Sequence, residues 1–189
     1  YIHGADASGG ALHGYALRAE SGPREKRLSI MADSWSLTTR MRGSVNESTS
    51  GSSEWSRETV WEDAKPAPDW PSFALMAPAP SADWDTLPVW ARELVLKALA
   101  CELPGVQDAL KSARIMQHAT IRCLVFESAP PAAEGVICRL LPHLVDWPAD
   151  AVLYIACSPA GARLRIVNLF ADSPAMVERI IAVGKALRS

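Results

Sequence analysis

Apolar and polar positions alternate most clearly in the first third of the chain. Trp35, Leu37, Thr39 and Met41 interleave with Ser34, Ser36, Thr38, Arg40 and Arg42, the two-residue period of a strand with one buried face. Trp55, Arg57, Thr59 and Trp61 repeat the pattern against Glu54, Ser56, Glu58 and Glu62. Residues 43–53 between them are rich in Gly, Ser, Asn and Thr, so the pair predicts a long antiparallel hairpin with a mobile tip. His13, Tyr15 and Leu17, then Leu28 and Ile30, predict two weaker strands around a turn at residues 21–24. Small and polar residues dominate positions 1–10, which are expected to be disordered.

The pattern changes after residue 88. Trp90, Leu94, Ala98 and Cys101 share one helical stripe, and Leu96, Leu99 and Leu103 a second, an apolar surface wide enough to be covered on more than one side. Pro104 and Gly105 end that helix, and Val106, Ala109, Leu110 and Ala113 predict a short second one. A strand over 120–127, a helix over 132–145 and strands over 151–157 and 163–170 follow. Ser173 as cap and Pro174 at the first helical position open a final helix. Residues 151–157 are apolar throughout, as in a central strand covered on both faces.

A strand, a helix and a second strand of the same sheet imply a parallel crossover. The short turn after Cys157 makes the third strand antiparallel. The expected fold is therefore α+β: a mixed sheet with a C-terminal βαββα unit covered by helices on one side. A small Trp-rich antiparallel meander precedes it, as an extension or a second small sheet.

Between these regions, residues 63–88 hold Pro66, Pro68, Pro71, Pro78, Pro80 and Pro88. Each fixes φ and removes a backbone donor, which argues against a helix or a central strand there. Trp70, Phe73, Leu75, Met76 and Trp84 predict instead an extended strap laid over the body. The chain divides into a β region over 1–62, a proline-rich strap or linker over 63–87 and an α+β domain over 88–189.

Composition narrows the classes of partner. With 189 residues, a formal charge of −2 and a pI near 6.1, the chain lacks the basic excess of a nucleic-acid binder. Its longest apolar runs fall short of the ~18–20 residues of a membrane helix, and no basic segment leads into an apolar one near the start. Cys101, Cys123, Cys138 and Cys157 lie far apart among aliphatic neighbours, the setting of buried free thiols rather than of a metal site or disulfide. That favours the cytoplasm or another reducing compartment. No glycine-rich phosphate loop is present, and neither a cofactor nor a metal is expected.

Cys157 and Ser158, where the apolar strand ends, are the best candidate nucleophiles; His118 and His143 are the candidate bases, although neither has an acidic neighbour at a catalytic spacing. Arg163 and Arg165 share a strand face and could read a carboxylate or phosphate. Otherwise they are solvated edge charges. Trp35, Trp55 and Trp61 project from one hairpin face, which must pack on this chain's own core or on a partner. These features favour a non-catalytic interaction protein: an adaptor, chaperone-like binder, inhibitor or immunity partner, or accessory subunit, bound to another protein or to a second copy of itself. The alternative is a small hydrolase or transferase using Cys157 or Ser158.

Overall fold

A computed structural model describes residues 8–12, 15–45, 53–100, 102–128 and 132–189. Ten strands among them join in one sheet. Five come from the first third: β1 (Ser8–Leu12), β2 (Tyr15–Ser21), β3 (Glu25–Met31), β4 (Trp35–Val45) and β5 (Ser53–Asp63). After these come β6 (Phe73–Ala77), α1 (Val89–Ala100), β7 (Ala113–His118), β8 (Ile121–Glu127), α2 (Glu134–Leu140), β9 (Val152–Ser158), β10 (Gly161–Val167) and α3 (Pro174–Arg188). The spatial order is β1-β2-β3-β4-β5-β10-β9-β6-β8-β7, and every neighbouring pair is antiparallel.

The expected mixed sheet is therefore not what forms. Strands β8 and β9 do run the same way, but they are not neighbours: β6 lies between them and runs against both. The proline-rich segment thus supplies the strand that was to be absent from it. Its prolines explain why this is possible, since Pro71 and Pro78 flank Phe73-Ala74-Leu75-Met76-Ala77 without entering it. Proline is excluded from the interior of a central strand, not from its ends. The five residues are apolar on both faces, and only Met76 is less than fully buried.

The helices also differ from expectation, because they cover both faces. Leu75, Val125, Leu153, Ile155, Leu164 and Trp61 point to the side closed by α2 and α3. Ala74, Leu124, Phe126 and Ala156 point to the side closed by Leu99 of α1 with Val106 and Ala109 of a 3-10 turn. The meander forms no second sheet, since β5 pairs with β10 from Asp63↔Ala162 to Glu58↔Val167. Of residues 1–10, Ser8–Gly10 belong to β1, while residues 1–7 and the hairpin tip at 46–52 lie outside the described residues.

The hairpin is joined to the C-terminal half by a buried polar relay as well as by the ladder. Thr59 Oγ1 donates to the Leu169 carbonyl at 2.9 Å, so the 2.8 Å contact between the two threonine hydroxyls must carry the proton of Thr39. Thr39 Oγ1 in turn accepts the Ala171 amide at 2.8 Å. Each group of the relay is satisfied, as burial requires. At the other end of β5, the carboxylate of Asp63 lies 3.4 Å from Arg188 of α3, whose guanidinium stacks over Trp70.

Helix α3 begins as its sequence specifies, with the Ser173 side chain accepting from the Met176 amide and Pro174 in the first turn. Gly184 is the point at which it meets the sheet. A β-carbon there would fall 2.2 Å from the Trp61 ring, so the helix can lie against the indole only because this position has no side chain.

Candidate interaction surface

Helix α1 has two apolar sides and the sheet covers one. Leu99 is fully buried, and Val95 and Leu96 pack with Trp84, Phe126 and Tyr154 over the central strands. The stripe containing Trp90 and Leu94 faces outward instead: Val89 is 62% exposed, Trp90 65% and Leu94 59%. Positions 90 and 94 lie one turn apart and so stand side by side on the helix. Glu93 and Lys97, both flanking the stripe in sequence, border them. Cys101, expected on this stripe, is outside the described residues.

Beside this stripe, a cavity of about 370 Å³ opens between α1 and the start of β7. Val89, Arg92, Glu93 and Leu96 form its helical wall, with Trp84 and Phe126 below. Those two rings meet edge to face, 5.2 Å between centroids, an arrangement that aromatic quadrupoles favour. Asp85 and Lys111 also line it, so charges of both signs stand among the apolar side chains of its wall.

The three hairpin tryptophans have separate surroundings. Trp61 is 1% exposed beneath α3, and Trp35 is partly buried at 6.4 Å and 32° from it. Trp61 therefore has no surface to offer a partner. Trp55 is exposed, with its ring over Gly43 on the paired strand at 3.2 Å from the position of a β-carbon.

Arg163 and Arg165 are partly buried, and both are ion-paired. Glu102, just after α1 and 3% exposed, receives the Arg165 Nε at 2.5 Å and lies 3.3 Å from Arg163. Glu58 stands 3.4 Å from Arg165 and Glu62 3.7 Å from Arg163, and Arg165 also stacks over Tyr154. Burial raises the Glu102 carboxyl above its ordinary range, and the attraction of Arg165 opposes that rise. The two arginines hold the end of α1 to β10, so their charge is consumed within the chain.

The nucleophile candidates point to opposite faces of β9. Cys157 is fully buried on the side of α2 and α3, and burial pushes its thiol up to about 12 against the attraction of Arg188. Ser158 is buried too, donating to the Pro104 carbonyl at 3.0 Å and accepting the Ala160 amide at 3.2 Å. His118 closes the β7–β8 hairpin opposite Ile121, whereas Cys157 is level with Phe73 and Glu127 at the far end of β8. Six residues of extended chain separate those rows, about 20 Å. His143 is exposed, in the 3-10 turn Leu141–His143 that follows α2. Neither candidate base, His118 or His143, is placed beside Cys157 or Ser158 among the described residues. Among the described residues, no group of His, Cys, Asp and Glu could hold a metal ion, and no helix is long and apolar enough to cross a membrane.

Thiol reactivity should follow this placement. Burial raises Cys123 to about 11 and Cys157 to about 12, and thiolate is the reactive form. Of the three described cysteines only the exposed Cys138 is expected to react with a thiol reagent at pH 8 in the folded protein. Mass mapping of the labelled sites checks this.

The chain matches no protein-family model, no curated protein sequence and no solved structure.

Proposed function

We propose that the chain is a non-catalytic interaction protein, an adaptor, chaperone-like binder, inhibitor or immunity partner, or accessory subunit, which engages another protein through the outer side of α1. The outward stripe of Val89, Trp90 and Leu94 carries this reading. Tryptophan is enriched among the residues that dominate binding energy, and a contiguous apolar patch rimmed by charge marks an interaction site. The near-neutral charge balance suits a protein partner better than a nucleic acid. The free thiols of Cys123, Cys138 and Cys157 support a reducing compartment such as the cytoplasm.

The test is capture of stoichiometric partners from native extract by the tagged wild-type chain and by Trp90→Ala/Leu94→Ala. Both side chains are mostly solvated, so the double variant is expected to keep its unfolding free energy within about 1 kcal/mol. Binding of the captured partner should weaken by about 2 kcal/mol or more. Equal capture by both proteins would refute the reading.

A further inference from the structure

Strand β7 ends the sheet, and its outer edge has an unusual combination of features. The Ser112 carbonyl accepts the Glu127 amide. In an antiparallel ladder alternate residues face the same neighbour, so the backbone groups of 112, 114, 116 and 118 face β8. Those of Ala113, Ile115 and Gln117 face away from the sheet, and no described residue pairs with them. Natural sheets blunt such an edge with proline, glycine bulges or free charge. The strand Ala113-Arg114-Ile115-Met116-Gln117-His118 has no proline or glycine. Its one arginine is drawn onto the sheet, where Arg114 Nε lies 2.6 Å from the buried Glu127 carboxylate. At the middle stands Ile115, 38% exposed.

We infer that β7 pairs with β7 of a second copy, antiparallel across a two-fold axis at Ile115. The outward-facing set is symmetric about that residue. In this one register Ile115 pairs with Ile115 of the second copy, and Ala113 pairs with Gln117 of the second copy. Every outward donor and acceptor of the three residues is then satisfied in both chains. Registers centred on Arg114 or Met116 pair only two of the three outward residues within the strand, leaving Gln117 opposite position 111 or Ala113 opposite position 119, and the first also sets Arg114 against Arg114 of the second copy; those centred on Ala113 or Gln117 run further off the strand.

The side chains support a second copy in particular. Directly opposed residues share a sheet face. On one face the isoleucines meet at the axis, flanked by Ala113 against Gln117. On the other, Arg114 meets Met116 and His118 meets Ser112. No like charges are opposed, and Arg114 brings its own counter-ion. Continuing the sheet also buries the two exposed isoleucines against each other, in one sheet of twice the strands.

Sedimentation velocity of the full chain tests this. The wild type should be a dimer at micromolar concentration, and the amides of Ile115 and Gln117 should gain hydrogen-exchange protection as concentration rises. Ile115→Lys and Ile115→Glu each place like charges on the axis and should weaken the dimer about tenfold or more. An equimolar mixture of the two variants should restore it, because only a two-fold at this residue sets the introduced ammonium of one chain against the introduced carboxylate of the other. A wild type that stays monomeric, variants that dimerise as well as the wild type, or a mixture that stays monomeric would each overturn the inference. Neither variant touches the α1 stripe, so partner capture through Trp90 should persist in both, and the two readings can fail separately.

Discussion

Leu75→Ala is expected to destabilise the protein by about 3–5 kcal/mol, read from urea unfolding. The side chain is fully buried between Val125 and Ile155 on the strands either side, under the α2 and α3 layer. Truncation there removes transfer energy and leaves a cavity that two neighbouring strands hinder from closing. A strap packed on one side would show much the same loss, so the neighbouring residue makes the distinction. Ala74 points to the opposite face, against Leu124, Phe126 and Leu99. Ala74→Leu should therefore also destabilise, by about 1–3 kcal/mol through overpacking. Large penalties from adjacent residues of opposite orientation are the mark of a strand covered on both faces.

Gly184→Val should be at least as damaging. On an exposed helix, replacing glycine by alanine gains about 1 kcal/mol, so an opposite sign isolates the contact with Trp61. The indole lies on the sheet and cannot retreat, since Leu37 and Leu164 are paired on either side of it. Gly184→Ala is expected to lower stability by about 1–3 kcal/mol, and Gly184→Val to prevent α3 from docking. Trp61→Leu in the Gly184→Ala background should recover part of the loss. Coupling of that kind is what a double-mutant cycle measures for residues in direct contact.

The sequence made some of this architecture legible. Alternation placed Trp35, Thr39, Thr59 and Trp61 on one face of a hairpin, and β4 and β5 pair in that register. The start of α3 was legible because capping is local chemistry, readable from Ser173 and Pro174 alone. The apolar run of β9 likewise announced a strand buried on both faces.

What the sequence hid is non-local. Phe73–Ala77 is a short apolar run whose flanking prolines read as a linker, and only strands β8 and β9, more than 40 positions later, supply its ladder partners. Strand β7 was missed because Arg114-Ile115-Met116-Gln117-His118 follows neither period. Nothing in the spacing of Glu102 shows that it will meet Arg165 across 63 positions. The two stripes of α1 were visible, but the sequence could not say which would face the sheet. That choice leaves Trp90 and Leu94 outward and defines the candidate surface.

That surface, like the edge at β7, depends on residues 73–77 joining β8 to β9 in one continuous sheet. Native-state hydrogen exchange of the Phe73–Ala77 amides is the most direct measurement of this. Bonded alternately to β8 and β9, they should exchange only through global unfolding, with the same free energy as the slowest amides of β9. Fast exchange at 73–77 beside a protected β8 and β9 would contradict the account.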